Sequence, residues 1–297
     1  MQHGSMARGY LFAGIIIAIW TGFVLVSRLG VTGSLTPYDV AAIRVGTAAV
    51  IVLPLWLRLP HHRRIDWHML ALTATGGLGY VLLVYSAFHL APASHGGILL
   101  SGTQPFVMAV CVWMVMGERP SRQRLIGMAV IAAGAAVLGY GVLQGGSGSW
   151  RGDLLFVGAS FCWALYTVLA RLWKVSPWEA ALNIALLAAI TYLPVYLLFL
   201  PKTIANASFG QIALQAAYQG ALAAVIQMVI YMRAVEILGP SRMGVLTALT
   251  PITAAIAAVP LLHEPMTLPL LISLALVSTG VVVGNGGSFS WLKPRTI

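Results

Sequence analysis

Charge is what this 297-residue chain has least of: Asp, Glu, Lys and Arg together make 8% of it, while 59% is hydrophobic. Soluble globular domains carry roughly 25% charged residues, and a soluble fold of this length has too little polar surface to cover so much apolar mass. Acids are the rarer of the two signs, seven against seventeen bases, for a formal charge of +10. That balance would suggest nucleic acid if the bases gathered on one face. They are scattered instead through short connections between apolar runs, so no nucleic-acid partner is expected. Cysteine is nearly absent as well. Cys111 and Cys162 each stand alone inside an apolar run, without the neighbours a disulfide framework or thiolate metal site requires. The histidines show no metal-ligand spacing, and HExxH, GxSxG and aspartate-rich motifs are missing. No cofactor, no metal and no enzymatic activity are therefore expected. Rings of charge or a selectivity loop, which a channel would need, are not visible either.

What the chain has is length of apolar sequence. About 20 mostly apolar residues span the hydrocarbon of a bilayer as a helix, and ten such runs follow one another: 8–29, 38–58, 67–89, 93–117, 122–142, 152–173, 178–200, 211–236, 241–262 and 267–286. The runs are continuous rather than alternating, which favours helices over a barrel. The expected class is all-α integral membrane, with ten transmembrane helices. Met1 to Ser5 reads as a vector-derived extension before a natural start at Met6, giving a tail over 1–7 and a second tail over 287–297. The first run lacks a cleavage site and is expected to be retained. Thirteen of the seventeen bases, including the His61-His62-Arg63-Arg64 cluster, fall on one side when both termini are placed inside. The positive-inside rule then predicts an inner (plasma) membrane protein with cytoplasmic termini. Most tryptophans lie near run ends, as interfacial anchors do.

The two halves, 8–142 and 152–286, repeat each other. Trp20 and Arg28 match Trp163 and Arg171, and Pro37-Tyr38-Asp39 with Pro54 matches Pro177-Trp178-Glu179 with Pro194. Tyr85, Pro105, Glu118 and Gly134 meet Tyr231, Pro251, Glu264 and Gly280 at one common offset of 146. Five spans per half is an odd number, so the halves insert in opposite senses. Inverted repeats are an architecture of secondary transporters, with the site at the repeat interface near the bilayer midplane.

Pro105 with Gly117-Glu118-Arg119-Pro120 and Gly134, and Pro251 with His263-Glu264-Pro265 and Gly280, resemble the two half-signatures of EamA-type ten-span members of the drug/metabolite transporter superfamily. The resemblance covers nearly the whole chain. Beyond the motifs the chain looks like the YddG-type aromatic amino-acid exporters, through overall sequence rather than a diagnostic motif. The resemblance implies a basket of helices around a central cavity lined by spans 1, 3, 4, 6, 8 and 9, with spans 5 and 10 at the periphery.

Candidate substrate residues follow from chemistry at mid-span. Pro105 and Pro251 fall inside their runs at matching positions, where a proline removes a helical hydrogen bond and displaces the carbonyl four residues earlier, here Ser101 and Thr247. Those carbonyls, with the side chains of Ser101, Gln104, Thr247 and Thr250, are candidates to receive a substrate ammonium; a packing kink is the plain alternative. Trp20 and Trp163 lie away from both interfaces and suit an apolar or aromatic cargo, with core packing as the alternative. Tyr80, Tyr85, Tyr166, Gln227 and Tyr231 are weaker candidates of the same kind. The seven acids lie at run ends, so a buried carboxylate proton relay is not expected. Arg44 is the one base well inside a run, about 9 Å along it, and is expected to snorkel to the outer interface or to pair structurally rather than steer a carboxylate. Few other bases lie at depth, which disfavours phosphorylated cargo. Glu118 and Glu264 read as turn residues rather than gates. Gly280 and Gly284, and Gly127, Gly134 and Gly141, mark close helix packing or a dimer contact, so a monomer or weak dimer is expected. Taken together these features predict export of small neutral metabolites, amino acids with aromatic or large apolar side chains included, with broad lipophilic drug efflux as the runner-up.

Overall fold

A computed structural model of the chain describes residues 2–58, 66–144, 148–247 and 249–284. The basic cluster at 61–64 and the tail at 287–297 lie outside the described residues. Among the described residues the regular structure is entirely helical, in ten rods. These are α1 (Gln2–Thr32), α2 (Pro37–Trp56), α3 (Trp67–Leu90), α4 (Ala93–Met116), α5 (Arg122–Gln144), α6 (Trp150–Leu172), α7 (Pro177–Phe199), α8 (Phe209–Leu238), α9 (Pro240–Thr247 with Thr250–Leu262) and α10 (Leu268–Gly284). Eight are long and apolar enough to cross a membrane unaided; the ninth is broken and the tenth is shorter.

Local chemistry sets the ends. Thr36 and Asp39 cap α2 reciprocally, Thr36 Oγ1 accepting from the Asp39 amide and Asp39 accepting from the Thr36 amide, with Pro37 in the first turn. Ser208 and Gln211 do the same for α8, and the Asp66 carboxylate accepts from the Met69 amide at the start of α3. Burial raises the Asp66 pKa, but bonds from Met69 and His68 and the His68 charge outweigh it and hold the carboxyl below its ordinary value. The ends of α4 and α9 are left-handed caps at repeat-matched residues, Gly117 at φ 72° and His263 at φ 54°.

Packing interlocks the halves. Helix α1 lies against α8 and α6 against α3, so each half's first helix rests on the third helix of the other half; α2 pairs with α7. Helices α5 and α10 pack on each other at the edge of the bundle. There the glycine stripes are spent within one chain: a methyl group on Gly127 would sit 2.5 Å from the Gly284 Cα, and one on Gly134 or Gly141 would strike Val277 or Pro269 of α10.

Pro105 and Pro251 do not kink continuous helices. In α4 a π-helical stretch, Gly97–Gly102, ends before Thr103, and a fresh α-helix begins at Gln104; in α9 the first segment stops at Thr247 and the second starts at Thr250. Each proline therefore occupies a first helical turn, where its missing N–H costs nothing. The carbonyls put to use at the α4 break are those of Leu99 and Leu100 rather than Ser101. Thr103 Oγ1 donates to Leu99 O at 2.5 Å, and Ser160 Oγ of α6 lies 3.1 Å and 3.2 Å from the Leu99 and Leu100 oxygens. Further π-helical stretches, Thr73–Gly79 in α3 and Ala216–Ile226 in α8, fall on matching parts of the repeat. Such bulges gather at functional sites.

Candidate functional site

Two aromatic groups stand at related places. On α1 and α8, Trp20 Nε1 donates to Gln227 Oε1 at 2.5 Å and its ring stacks on Tyr231 with centroids 5.8 Å apart. On α3 and α6, the Trp163 ring meets Tyr80 at 5.0 Å and Tyr166 at 5.3 Å. The tryptophans are repeat mates, and all six side chains keep part of their surface exposed, Tyr231 the most at 37%. A tryptophan indole and tyrosine phenols combine large apolar faces with polar edges, the lining expected of a site for a small amphipathic molecule.

Beside these groups lies a polar cluster of which the candidates included only Tyr85, Arg44 having been set aside. Gln219 of α8 is fully buried. Its Nε2 donates to Ser27 Oγ at 2.9 Å, and its Oε1 accepts from Tyr85 Oη at 3.2 Å and from Arg44 Nη1 at 3.3 Å. Arg44 also reaches the Gln219 carbonyl at 3.3 Å and lies 5.6 Å from the Phe23 ring centroid. Tyr85 lies on α3 with Tyr80. Arg44 is thus turned toward Gln219: of the two expectations for it, snorkelling to the interface is overturned, and a structural pairing is what the geometry holds. The rotation of α2 is fixed by its buried Val40, Ala41, Val45 and Ala48, which hold the helix against its neighbours. Phe23 lies one turn from Trp20 on α1, and Tyr80 belongs to the Trp163 group, so the cluster adjoins both aromatic groups. The signal for Gln219 was present in the sequence: Gln215 and Gln219 sit one turn apart in the run 211–236, and both are buried.

The breaks contribute less directly. Thr250 and Pro251 are buried and Ser101, Gln104, Pro105 and Thr247 are half-buried. Thr247 Oγ1 donates back to Met243 O at 2.9 Å. Gln104 Nε2 and Thr250 Oγ1, at repeat-matched positions, are buried with no hydrogen-bond partner among the described residues. A cavity of about 200 Å³ lies elsewhere, between α4, α5 and α10, bordered by Pro105, Phe106, Gly127, Ile131 and Gly280. Of the candidates it touches only Pro105, and it is set apart from both aromatic groups.

The two faces of the molecule differ. On the face where α1 ends, Glu264 accepts the Ala93 and Ser94 amides at 2.6 Å and 2.9 Å, fastening the start of α4 to the end of α9. Below that contact Val24, Tyr85, Phe88, Ile98 and Phe156 are fully buried. Arg28 donates to the Phe88 and His89 carbonyls beside it. On the opposite face the repeat mate Glu118 is half exposed and, among the described residues, reaches only Arg171, the mate of Arg28, at 3.5 Å. Asp39 is a wholly buried carboxylate, which the placement of acids at run ends did not anticipate. It accepts from Tyr196 Oη at 2.5 Å, Thr203 Oγ1 at 2.9 Å and Thr203 N at 3.1 Å, and so serves the α2–α7 corner rather than the bundle centre.

A multi-pass helical bundle whose two inverted halves interlock, with broken helices at matching positions, defines a membrane transporter. Residues 7–140 and again 150–285 match the EamA-like transporter family, and the chain belongs to that family. It is 30% identical over 191 residues to the "Uncharacterized transporter YvbV" of Bacillus subtilis (strain 168), covering 61% of this chain and 60% of that protein. It is 23% identical over 213 residues to the "Uncharacterized transporter YetK" of the same strain, covering 68% of this chain and 62% of that protein. The matches thus span about three fifths of each relative's length. A solved protein crystal structure, 22% identical, shares the fold with a TM-score of 0.63 over 97% of this chain and 99% of its own.

Proposed function

We propose that the chain exports small neutral metabolites, amino acids with aromatic or large apolar side chains foremost, by alternating access. The observation that carries this reading is the pair of aromatic groups built on the repeat-mate tryptophans, Trp20–Gln227–Tyr231 and Trp163–Tyr80–Tyr166, beside a polar cluster. The unlike ends support the transport cycle: Glu264 fastens one face while Glu118 leaves the other undone. The excess of bases on the side bearing the termini supports a cytoplasmic location for them, in an inner or plasma membrane. Asp39 is held at the α2–α7 corner and the other acids lie at helix ends, which supports a cycle without a proton relay through a buried carboxylate.

Flux of a labelled amino-acid panel in proteoliposomes, with and without a pH gradient, tests the reading. Exchange of phenylalanine, tryptophan or leucine down a substrate gradient, persisting when the pH gradient is collapsed, is the expected result. Flux of lipophilic cations alone would establish drug efflux instead, and strict dependence on the pH gradient would end the relay-free cycle.

A further inference from the structure

Arg44 is a half-buried cation within the bundle that has no anion beside it among the described residues. The chain has seven acids, and each is committed elsewhere or placed at a helix end. Asp39 is held by Tyr196 and Thr203, Asp66 by Met69 and His68, Asp153 by His95, and Glu264 by the α4 amides. Glu118 pairs with Arg171 and Glu236 with Arg233. Glu179 lies in the first turn of α7, on the face opposite to the one where α2 begins. What Arg44 touches is neutral: the Gln219 carbonyl and amide oxygen, the Phe23 ring and the Tyr85 phenol. A guanidinium has five N–H donors in a planar fork, and both Gln219 contacts are long and come from Nη1 alone. Neutral acceptors solvate such a charge poorly at that depth, where ionisable groups are paired or mark a substrate path.

The cluster is also fixed in orientation. Ser27 Oγ donates to Phe23 O at 2.6 Å, so it accepts from the Gln219 amide nitrogen, and this points the amide oxygen at Arg44 and Tyr85. The second half offers no equivalent, because Ile184 stands at the repeat position of Arg44. The site therefore has one positive pole set beside two aromatic groups.

We propose that Arg44 binds the α-carboxylate of the transported amino acid, with Gln219 and Tyr85 holding the fork in place and the aromatic groups taking the side chain. This rests on the amino-acid reading above and gives it a polarity. A bidentate guanidinium–carboxylate pair supplies both the missing charge and the directional bonds. It also sets a selection rule: carboxylated cargo is preferred over the decarboxylated amine with the same side chain.

Calorimetric titration of the purified chain in lipid nanodiscs with phenylalanine, phenylalaninamide and phenethylamine tests the proposal. The wild type is expected to bind phenylalanine most tightly. Arg44→Gln is expected to weaken phenylalanine by about tenfold or more while leaving phenethylamine within about twofold. Gln219→Glu installs a resident carboxylate beside the guanidinium; it is expected to give the same selective loss with an unchanged or higher melting temperature, and it decides the matter should Arg44→Gln fail to fold. If both variants bind phenylalanine as the wild type does, the Arg44 assignment is overturned while the amino-acid reading stands. A wild type that binds none of the three probes overturns both.

Discussion

His263 and Gly117 close equivalent helices in the same left-handed conformation, yet only glycine adopts it without cost. For histidine the penalty is roughly 1–2 kcal/mol, and the next residue along the chain is Glu264, whose carboxylate fastens the start of α4. The strained cap thus coincides with the side chain that closes one face. Among the aromatic candidates, Trp163 joins Tyr80 to Tyr166. Trp163→Ala is expected to shift substrate preference toward smaller side chains, with the kcat/KM ratio between tryptophan and leucine falling by about tenfold, the effect of one lost aromatic contact of 1–1.5 kcal/mol. Competition flux in proteoliposomes reads that ratio. Equal loss for every substrate would make the residue a packing element. These tryptophans were legible in the sequence because indole at mid-span is rare away from the interfaces. The aim of Arg44 was not, since a side chain's facing depends on the rotation of its helix, and that is set by contacts with residues far away in sequence.

Helix breaks were legible as positions and misread as to kind. The paired prolines marked where α4 and α9 change, but a proline cannot itself report whether it bends a helix or begins one; that is decided by the residues before it. In α4 those are the π-helical Gly97–Gly102 and the Thr103 hydroxyl. The π-helical stretches of α3 and α8 left no trace in hydropathy, because widening a turn changes which backbone groups pair and not which residues are apolar. The glycine spacing of α5 and α10 was legible, and its partner was not: a small-residue face fits a neighbour in the same chain as well as one in a second copy. Here the neighbour is internal. Gly127→Ala would place a methyl group 2.5 Å from the Gly284 Cα, against backbone that cannot swing aside. A loss of about 1–3 kcal/mol is expected from such overpacking, to be read as an earlier midpoint in denaturant or heat unfolding in detergent. An unchanged midpoint would mean that α5 and α10 separate more readily than their packing implies.

At the scale of the whole molecule, the repeat places a glutamate after the end of α4 and of α9, and the structure uses the two differently. Glu264 engages two amides at hydrogen-bond distance while Glu118 engages none of those at the start of α9. Hydrogen bonds to a charged group contribute about 1.5–3 kcal/mol each. Glu264→Ala is therefore expected to raise the population open on the far face by tenfold or more, at about 1.4 kcal/mol per decade. An Ile98→Cys reporter, introduced after Cys111 and Cys162 are replaced by Ser, measures this by its labelling with an impermeant maleimide. Ile98 is fully buried beneath that face. Labelling that stays slow in the Glu264→Ala background would show that apolar packing alone holds the face shut.

Threading each half through the other also dictates an order of assembly. Trp20 meets Gln227 across 207 residues, so during synthesis α1 enters the bilayer long before its partner has been made. Until α8 is inserted, the inner flank of α1 has only its nearer neighbours or lipid, and the wall it shares with α8 closes late. A ribosome that stops after α7 would leave the Trp163 group of α3 and α6 without the wall and the buried Gln219 that α8 brings.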